Sequence, residues 1–188
     1  MIKGKFNLKE LEKYQKQLER MSKESNKMIQ FYELCAKEIA ARLLALVIPR
    51  TPVAENTTYL DAEGRKMVMK NGGTLRRGWV SKSEKEAESG TIPGAREAYE
   101  YAQSLTVAKN GNEYVIEIVN PVHYSSYVEN GHRQEVGRYV PAIGKRLVNS
   151  WVDGKFMLKI SEEELDNKMS QILEKKIKMF LEECFDGN

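Results

Sequence analysis

The chain is poor in the side chains that do most chemistry. Its 188 residues hold two histidines, His123 and His132, and two cysteines, Cys35 and Cys184. The cysteines lie far apart and both fall on helical apolar stripes, which excludes a disulfide-stapled scaffold and suits reduced thiols used as small hydrophobes. Neither histidine has a Cys, an Asp or the other histidine at ligand spacing, so no common metal site is spelled out. The glycine patterns of phosphate loops and dinucleotide folds are missing: Gly72 and Gly73 precede Leu75-Arg76-Arg77 without any GxxxxGK[ST] or GxGxxG, and they read as a turn. Ser125 and Ser126, between His123 and Glu129, supply the letters of a hydrolase triad but no strained GxSxG elbow. Glu162 to Glu164 read as the acidic first turn of a helix, not as a catalytic carboxylate pair. No enzymatic residue, cofactor or metal is expected.

Long apolar runs are absent too. No stretch approaches the roughly 18 residues of a membrane span, and the opening MIKGKFNLKE has no apolar run behind its lysines. A soluble chain without a standard export signal, in a reducing cytosol, is the expectation. What is abundant is charge, 30 Lys and Arg against 27 Asp and Glu, unevenly spread. Residues 1–50 carry 11 basic and 6 acidic side chains, residues 51–160 carry 15 and 13, and residues 161–188 carry 4 and 8. Opposite signs at the two ends predict terminal helices that lie side by side or complement each other head-to-tail between subunits. A nucleic-acid-binding accessory protein is the alternative that the basic first segment suggests. Basic residues that alternate with acids, without aromatics between them, weigh against it, and no specific nucleic-acid binding is expected.

Periodicity gives the organisation. Leu8, Leu11, Tyr14, Leu18 and Met21 follow an Asn7-x-x-Glu10 box and predict an amphipathic helical extension over residues 1–24. Met28, Phe31, Tyr32, Cys35, Ile39, Leu43 and Leu46 predict a second helix that stops at Pro49 and Pro52, a rod of roughly 35 Å whose apolar face, wide near Ala40 to Ile48, suits a sheet. Thr74 to Val80 reads as a strand and Lys82 to Gly94 as a mobile loop. Alternation over Ser104 to Val119 around Lys109-Asn110-Gly111-Asn112 predicts a hairpin with one buried face. Tyr124 to Glu129 reads as a short helix closed at Asn130-Gly131 by a left-handed cap. Residues 134–155 read as a long arm or loop, Phe156 to Ile160 as a short strand, and Ser161 to Glu164 as the capping box of a last helix striped by Leu165, Met169, Ile172, Leu173, Ile177, Phe180 and Cys184.

In order, Pro49-Arg50-Thr51-Pro52-Val53, Gly73-Thr74-Leu75-Arg76-Arg77-Gly78-Trp79 and Asn120-Pro121-Val122-His123-Tyr124-Ser125-Ser126-Tyr127-Val128-Glu129-Asn130-Gly131-His132-Arg133 resemble the signatures TPV(D)TG-x-LRRSW and YA-x-YVE-x-GHR of the phage minor tail-component family, also called tail-completion or head–tail joining proteins. The resemblance spans roughly residues 30–185. It departs from the family pattern at Ala54 to Gly72, 19 residues that separate two usually adjacent signatures and read as an added surface loop or hairpin, and at the long segment 134–155. The resemblance implies an α+β fold, long N-terminal and C-terminal helices packed on a small antiparallel sheet with long loops. A single tail-component domain would cover residues 25–185, with 186–188 a tail. It further implies a non-enzymatic part of the virion neck, assembled in the host cytoplasm as a hexameric ring of itself. Its partners would be a tail tube or tail terminator protein and a head-closure or connector protein, with no membrane contact. Arg76, Arg77, Trp79, Tyr124, Tyr127, Glu129, Gly131, His132 and Arg133 are the candidate fold or interface positions.

Overall fold

A computed structural model of the chain describes residues 25–53, 57–60, 65–70, 72–111, 113–140 and 145–186. The extension expected around Leu8 to Met21 lies outside them. In chain order the elements are α1 (Ser25–Arg50), β1 (Thr57–Leu60), β2 (Lys66–Lys70), α2 (Thr74–Gly78), α3 (Glu84–Ala87), α4 (Ala95–Ser104), β3 (Val107–Asn110), β4 (Glu113–Ile116), α5 (Ser125–Asn130), β5 (Gly131–Arg133), β6 (Tyr139–Val140), β7 (Lys145–Arg146), β8 (Trp151–Asp153) and α6 (Met157–Asp186). The α+β class with long terminal helices and antiparallel strands is as expected. The strands form four separate two-stranded ladders: β1 with β2, β3 with β4, β5 with β8, and β6 with β7.

The core forms where α1 meets α4 and α6. Ala40, Ala41, Leu44, Val47 and Ile48 recur at three- and four-residue steps and are buried against Ala98 and Ala102 of α4, Trp79, Val122 and Met157. Alanines on both α1 and α4 let the two axes approach closely, and Lys37 Nζ donates to the Gln103 carbonyl at 2.8 Å, satisfying an orphan acceptor in the last turn of α4. The wide face of α1 therefore meets two helices as well as the hairpin, which touches it through Tyr32 and Tyr114, ring centroids 5.0 Å apart. Helix α6 runs antiparallel to α1. Arg50 bonds Ser161 and Glu164 at one end, Lys176 Nζ lies 3.5 Å from Glu38 midway, and Phe31 stacks on Phe180 at 4.3 Å at the other end. The two ion pairs between these helices run in opposite senses, Arg50 of α1 to Glu164 of α6 and Lys176 of α6 to Glu38 of α1.

Four local readings change. Thr74 to Val80 is not a strand: Thr74–Gly78 is a short helix in which Thr74, Leu75, Arg77 and Gly78 are buried, with Trp79 buried at its end, because neighbours pack around it on several sides. Phe156 to Ile160 is not a strand either, and α6 begins at Met157, one turn before Ser161. Ser161 is no cap; it is fully buried inside the helix, its hydroxyl donating to the Met157 carbonyl at 2.7 Å. Lys82 to Gly94 holds α3, capped by Ser83 Oγ, which accepts from Glu86 N at 3.3 Å, and pinned by the fully buried Ala87. Helix α4 is an addition to the sequence reading. Its signal is Gly94 with Glu97, whose carboxylate accepts from the Gly94 N–H at 3.0 Å, followed by Ala98, Tyr101 and Ala102 at helical spacing.

The hairpin expected over Ser104 to Val119 forms, shorter, as β3–β4, with Tyr114 and Ile116 on the half-buried side and Val115 outside. Within segment 54–72, β1 and β2 pair antiparallel. Within segment 134–155, the described residues pair as an antiparallel ribbon. Beyond β5–β8, Gln134 N donates to Ser150 O at 2.9 Å and Gly137 N to Leu147 O at 2.8 Å, carrying the pairing out to β6–β7.

The α1–α6 contact should be pH-sensitive through Glu38. Burial pushes its carboxyl up, but Arg42 and Lys176 outweigh that and leave its pKa below the ordinary value. A depressed folded value means that its contribution is complete above the ordinary carboxylate range and is lost as pH falls through the folded value. Glu38→Gln should therefore lower the melting temperature near neutrality and flatten the acid limb of a stability-versus-pH profile; an unchanged acid limb would remove this role.

Candidate functional site

The three signature segments converge at the end of α1. Thr51 is fully buried, and its hydroxyl donates to the Val47 carbonyl at 2.8 Å while accepting the indole N–H of Trp79 at 2.7 Å. A buried hydroxyl must find partners, and here it finds both in this one geometry. Arg76 lies alongside: its Nε and Nη2 donate to the Thr51 carbonyl at 3.0 and 2.7 Å, and Nη2 also reaches the Pro49 carbonyl at 3.1 Å. A planar cation thus covers the orphan acceptors and the negative end of the α1 dipole.

Arg77 points the other way and is buried, 5% exposed. Its guanidinium donates to the carbonyls of Ala87 at 2.7 Å, Gly72 at 3.0 Å and Glu88 at 3.3 Å, and to Thr74 Oγ1 at 3.3 Å. Five donors in a rigid fork meet four neutral acceptors, which ties α3 and the Gly72 turn to α2. Gly78 then faces Asn120 and Val122 so closely that a Cβ would collide with the Asn120 amide. That amide donates to the Leu75 carbonyl at 2.8 Å and accepts from Val122 N at 3.2 Å. The long motif is in this way docked on the short one.

Beyond Asn120 the chain turns through His123 and Tyr124 into α5. Tyr124 is half-buried against the core, its phenol pKa raised by burial and then by Glu84, with Arg77 opposing. The Glu129 carboxylate accepts from the backbone N–H groups of Leu158 at 2.9 Å and Lys159 at 3.0 Å. It is the N-terminal cap of α6, supplied from about 30 residues upstream, and it replaces the local box expected at Ser161. Gly131 closes α5 at φ 81, with a Cβ excluded by the Val152 carbonyl, while Lys155 N and Phe156 N donate to Val128 O and Glu129 O at 2.8 and 3.0 Å. The positive φ matches the glycine cap read from the sequence, although its ψ of 173 is extended, not left-handed helical. His132 sits in β5 opposite Val152, 5.6 Å and edge-on from Tyr127, its Nδ1 enclosed without a hydrogen-bond partner. Arg133 and Tyr127 face outward.

The triad letters are drawn to separate partners. His123 Nδ1 lies 2.5 Å from Glu84 Oε1, the Ser125 hydroxyl donates to the Asn120 carbonyl at 3.4 Å, and Glu129 caps α6. Among the described residues no group of three His, Cys, Asp or Glu could hold a metal ion, and no helix is long and apolar enough to cross a membrane. Cys35 is buried and Cys184 half-buried, both unpaired, with burial raising the Cys35 pKa before Lys176 lowers it and Glu38 raises it. Around the junction a groove of about 270 Å³ is lined by Trp79, Ile118, Asn120, Ser126, Glu129 and Met157, and Val119, Tyr127, Phe156 and Ile160 are exposed nearby. Thr51, Gly78 and Asn120, which are not among the nine candidates, also hold the junction together. Their signal was modest: a threonine held between prolines at a helix end, a glycine inside a helical stripe, and an asparagine before a proline.

Two outcomes follow. In a Thr51→Val and Trp79→Phe double-mutant cycle, denaturant unfolding should give a coupling of about 0.5–1.5 kcal/mol, whereas additive losses would mean that the hydrogen bond is not formed. Glu129→Ala should destabilise by about 1–2 kcal/mol, and hydrogen exchange should quicken first in the opening turn of α6. Protection unchanged at Leu158 and Lys159 would refute the cap.

The family described as "Bacteriophage HK97-gp10, putative tail-component" matches residues 12–131, which include all of α1 to α5 and the first residue of β5. No curated protein and no solved structure matches the chain.

Proposed function

Because the chain belongs to this bacteriophage tail-component family, we propose that it completes the head-proximal end of the tail and takes part in head–tail joining during virion assembly. Its role is structural and non-enzymatic. It works as a ring of identical subunits, a hexamer, between the tail tube or terminator protein on one side and the head-closure or connector protein on the other, in the neck of the virion.

The observation that supports this reading best is what the signature side chains do. Arg76, Arg77, Trp79, Asn120 and Glu129 all bond the chain's own backbone or core side chains. A catalytic constellation would leave such groups converging on an open cavity. Here they fix the relative placement of α1, α2, α5 and α6, while Tyr127 at 56% and Val119 at 54% exposure are left outward beside them. A rigid joint with apolar surface around it is what a subunit needs in order to be gripped by neighbours on more than one face.

Removing the gene from the phage or prophage that carries it should leave filled heads and separate tails in the lysate, seen by negative stain, with titre restored when the gene is supplied in trans. Joined, infectious particles without the gene would end this reading.

A further inference from the structure

The start of α1 and the end of α6 border an open groove of about 560 Å³ lined by Phe31, Leu34, Cys35, Met179, Phe180 and Cys184. Leu34 and Met179 are 60 and 54% exposed there. Apolar side chains set along two neighbouring helices are the usual seat of an amphipathic helix, which lays its own apolar face between them. The charged side chains at the groove are of both signs, Lys27 and Lys176 against Glu183, with Lys176 already 3.5 Å from Glu38. The fit therefore rests on apolar surface and not on net charge.

The chain itself supplies an occupant at the mouth of this groove. Residues 1–24 precede α1 and stand outside the described residues. Their stripe, Leu8, Leu11, Tyr14, Leu18 and Met21, predicts a helix with one apolar face that needs covering. The groove opens at Lys27, two residues after the first of α1. Ser22, Lys23 and Glu24 are polar and long enough for the reversal between antiparallel helices, which takes about 2–5 residues. At 1.5 Å per residue a helix from Leu8 to Met21 extends roughly 20 Å, against roughly 12 Å for the groove wall from Lys27 to Cys35. The family match begins at residue 12 and so takes in Tyr14, Leu18 and Met21 together with α1.

We infer that residues 8–21 fold back as a helix and seat their apolar stripe in the α1–α6 groove of the same chain. The contact makes a three-helix layer at this end of the domain and covers Leu34, Met179 and Cys184. It concerns the chain's own packing and does not rest on the head–tail joining reading.

The test compares two thiols placed on α6 of the full chain, at positions that are both exposed: Met179→Cys on the groove wall and Glu163→Cys away from the groove. Maleimide labelling of the folded protein is followed by peptide mass spectrometry, which separates these sites from the native Cys35 and Cys184. With the native stripe, the thiol at 179 should label about tenfold or more slowly than the one at 163, because reaction waits for the segment to lift off. Adding Leu11→Asp with Leu18→Asp should abolish that difference and speed labelling of Cys184 as well. Protection should be independent of protein concentration and persist at high salt. Equal rates at 179 and 163 with the native stripe overturn the inference, and this comparison decides even where the stripe variant misfolds. Protection that survives the stripe substitutions also overturns it, as does protection that grows with protein concentration, which would put the segment on a second copy.

Discussion

The bond between the Trp79 indole and the Thr51 hydroxyl is the constraint on which the rest of the molecule depends. Thr51 stands where α1 has run out of its own hydrogen-bond partners, in a position from which water is excluded. Leaving a hydroxyl or an indole N–H unsatisfied there would cost about 1–3 kcal/mol each, so the pair holds α2 against the helix end in one orientation. Once α2 is held, Arg76 lies over the last carbonyls of α1, Arg77 reaches back to α3, and Gly78 presents the bare backbone that Asn120 requires. A short stretch of sequence acts as a hub because its neighbouring side chains leave one small helix in different directions.

The second joint is made the same way. Glu129 reaches the first turn of α6, and the backbones of β5 and Gly154 pass so closely that neither Gly131 nor Gly154 has room for a side chain. Helices α1 and α6 are therefore connected twice, once along their length through Glu38, Lys176, Phe31 and Phe180, and once through the chain of contacts from Thr51 to Glu129. Both seams are closed by buried or charge-assisted hydrogen bonds. Apolar side chains are left exposed on the ribbon, at Val136, Tyr139, Val148 and Trp151, and around α5, at Val119 and Tyr127.

Much of this was legible beforehand, and the exceptions have physical reasons. Helix α1 and the stripe of α6 were plain because apolar residues recur at 3.6-residue spacing over many turns. The β3–β4 hairpin was plain because alternation flanks an Asn-Gly turn, and the glycine ending α5 because few residues tolerate positive φ. Thr74 to Gly78 was misread because one and a half turns are too short for a period to show, and a buried arginine disguises the apolar face. The start of α6 was misplaced because Ser161-Glu-Glu-Glu164 looks like a cap, while the true cap lies on another element. The side-chain roles in the junction were legible only as motif letters, since nothing local says that Arg76 faces α1 and Arg77 faces α3.

The sequence by itself determined the long helices, the hairpin, the glycine-closed corner and the tail-component family, because each is written in local periodicity or in residues fixed at short spacing. Only the tertiary structure decided which backbone groups Arg76, Arg77, Asn120 and Glu129 satisfy, and that residues 134–140 pair against residues 145–150. Those partners lie up to 45 residues apart along the chain, and the distance between a donor and its acceptor is set by packing, which no local pattern encodes.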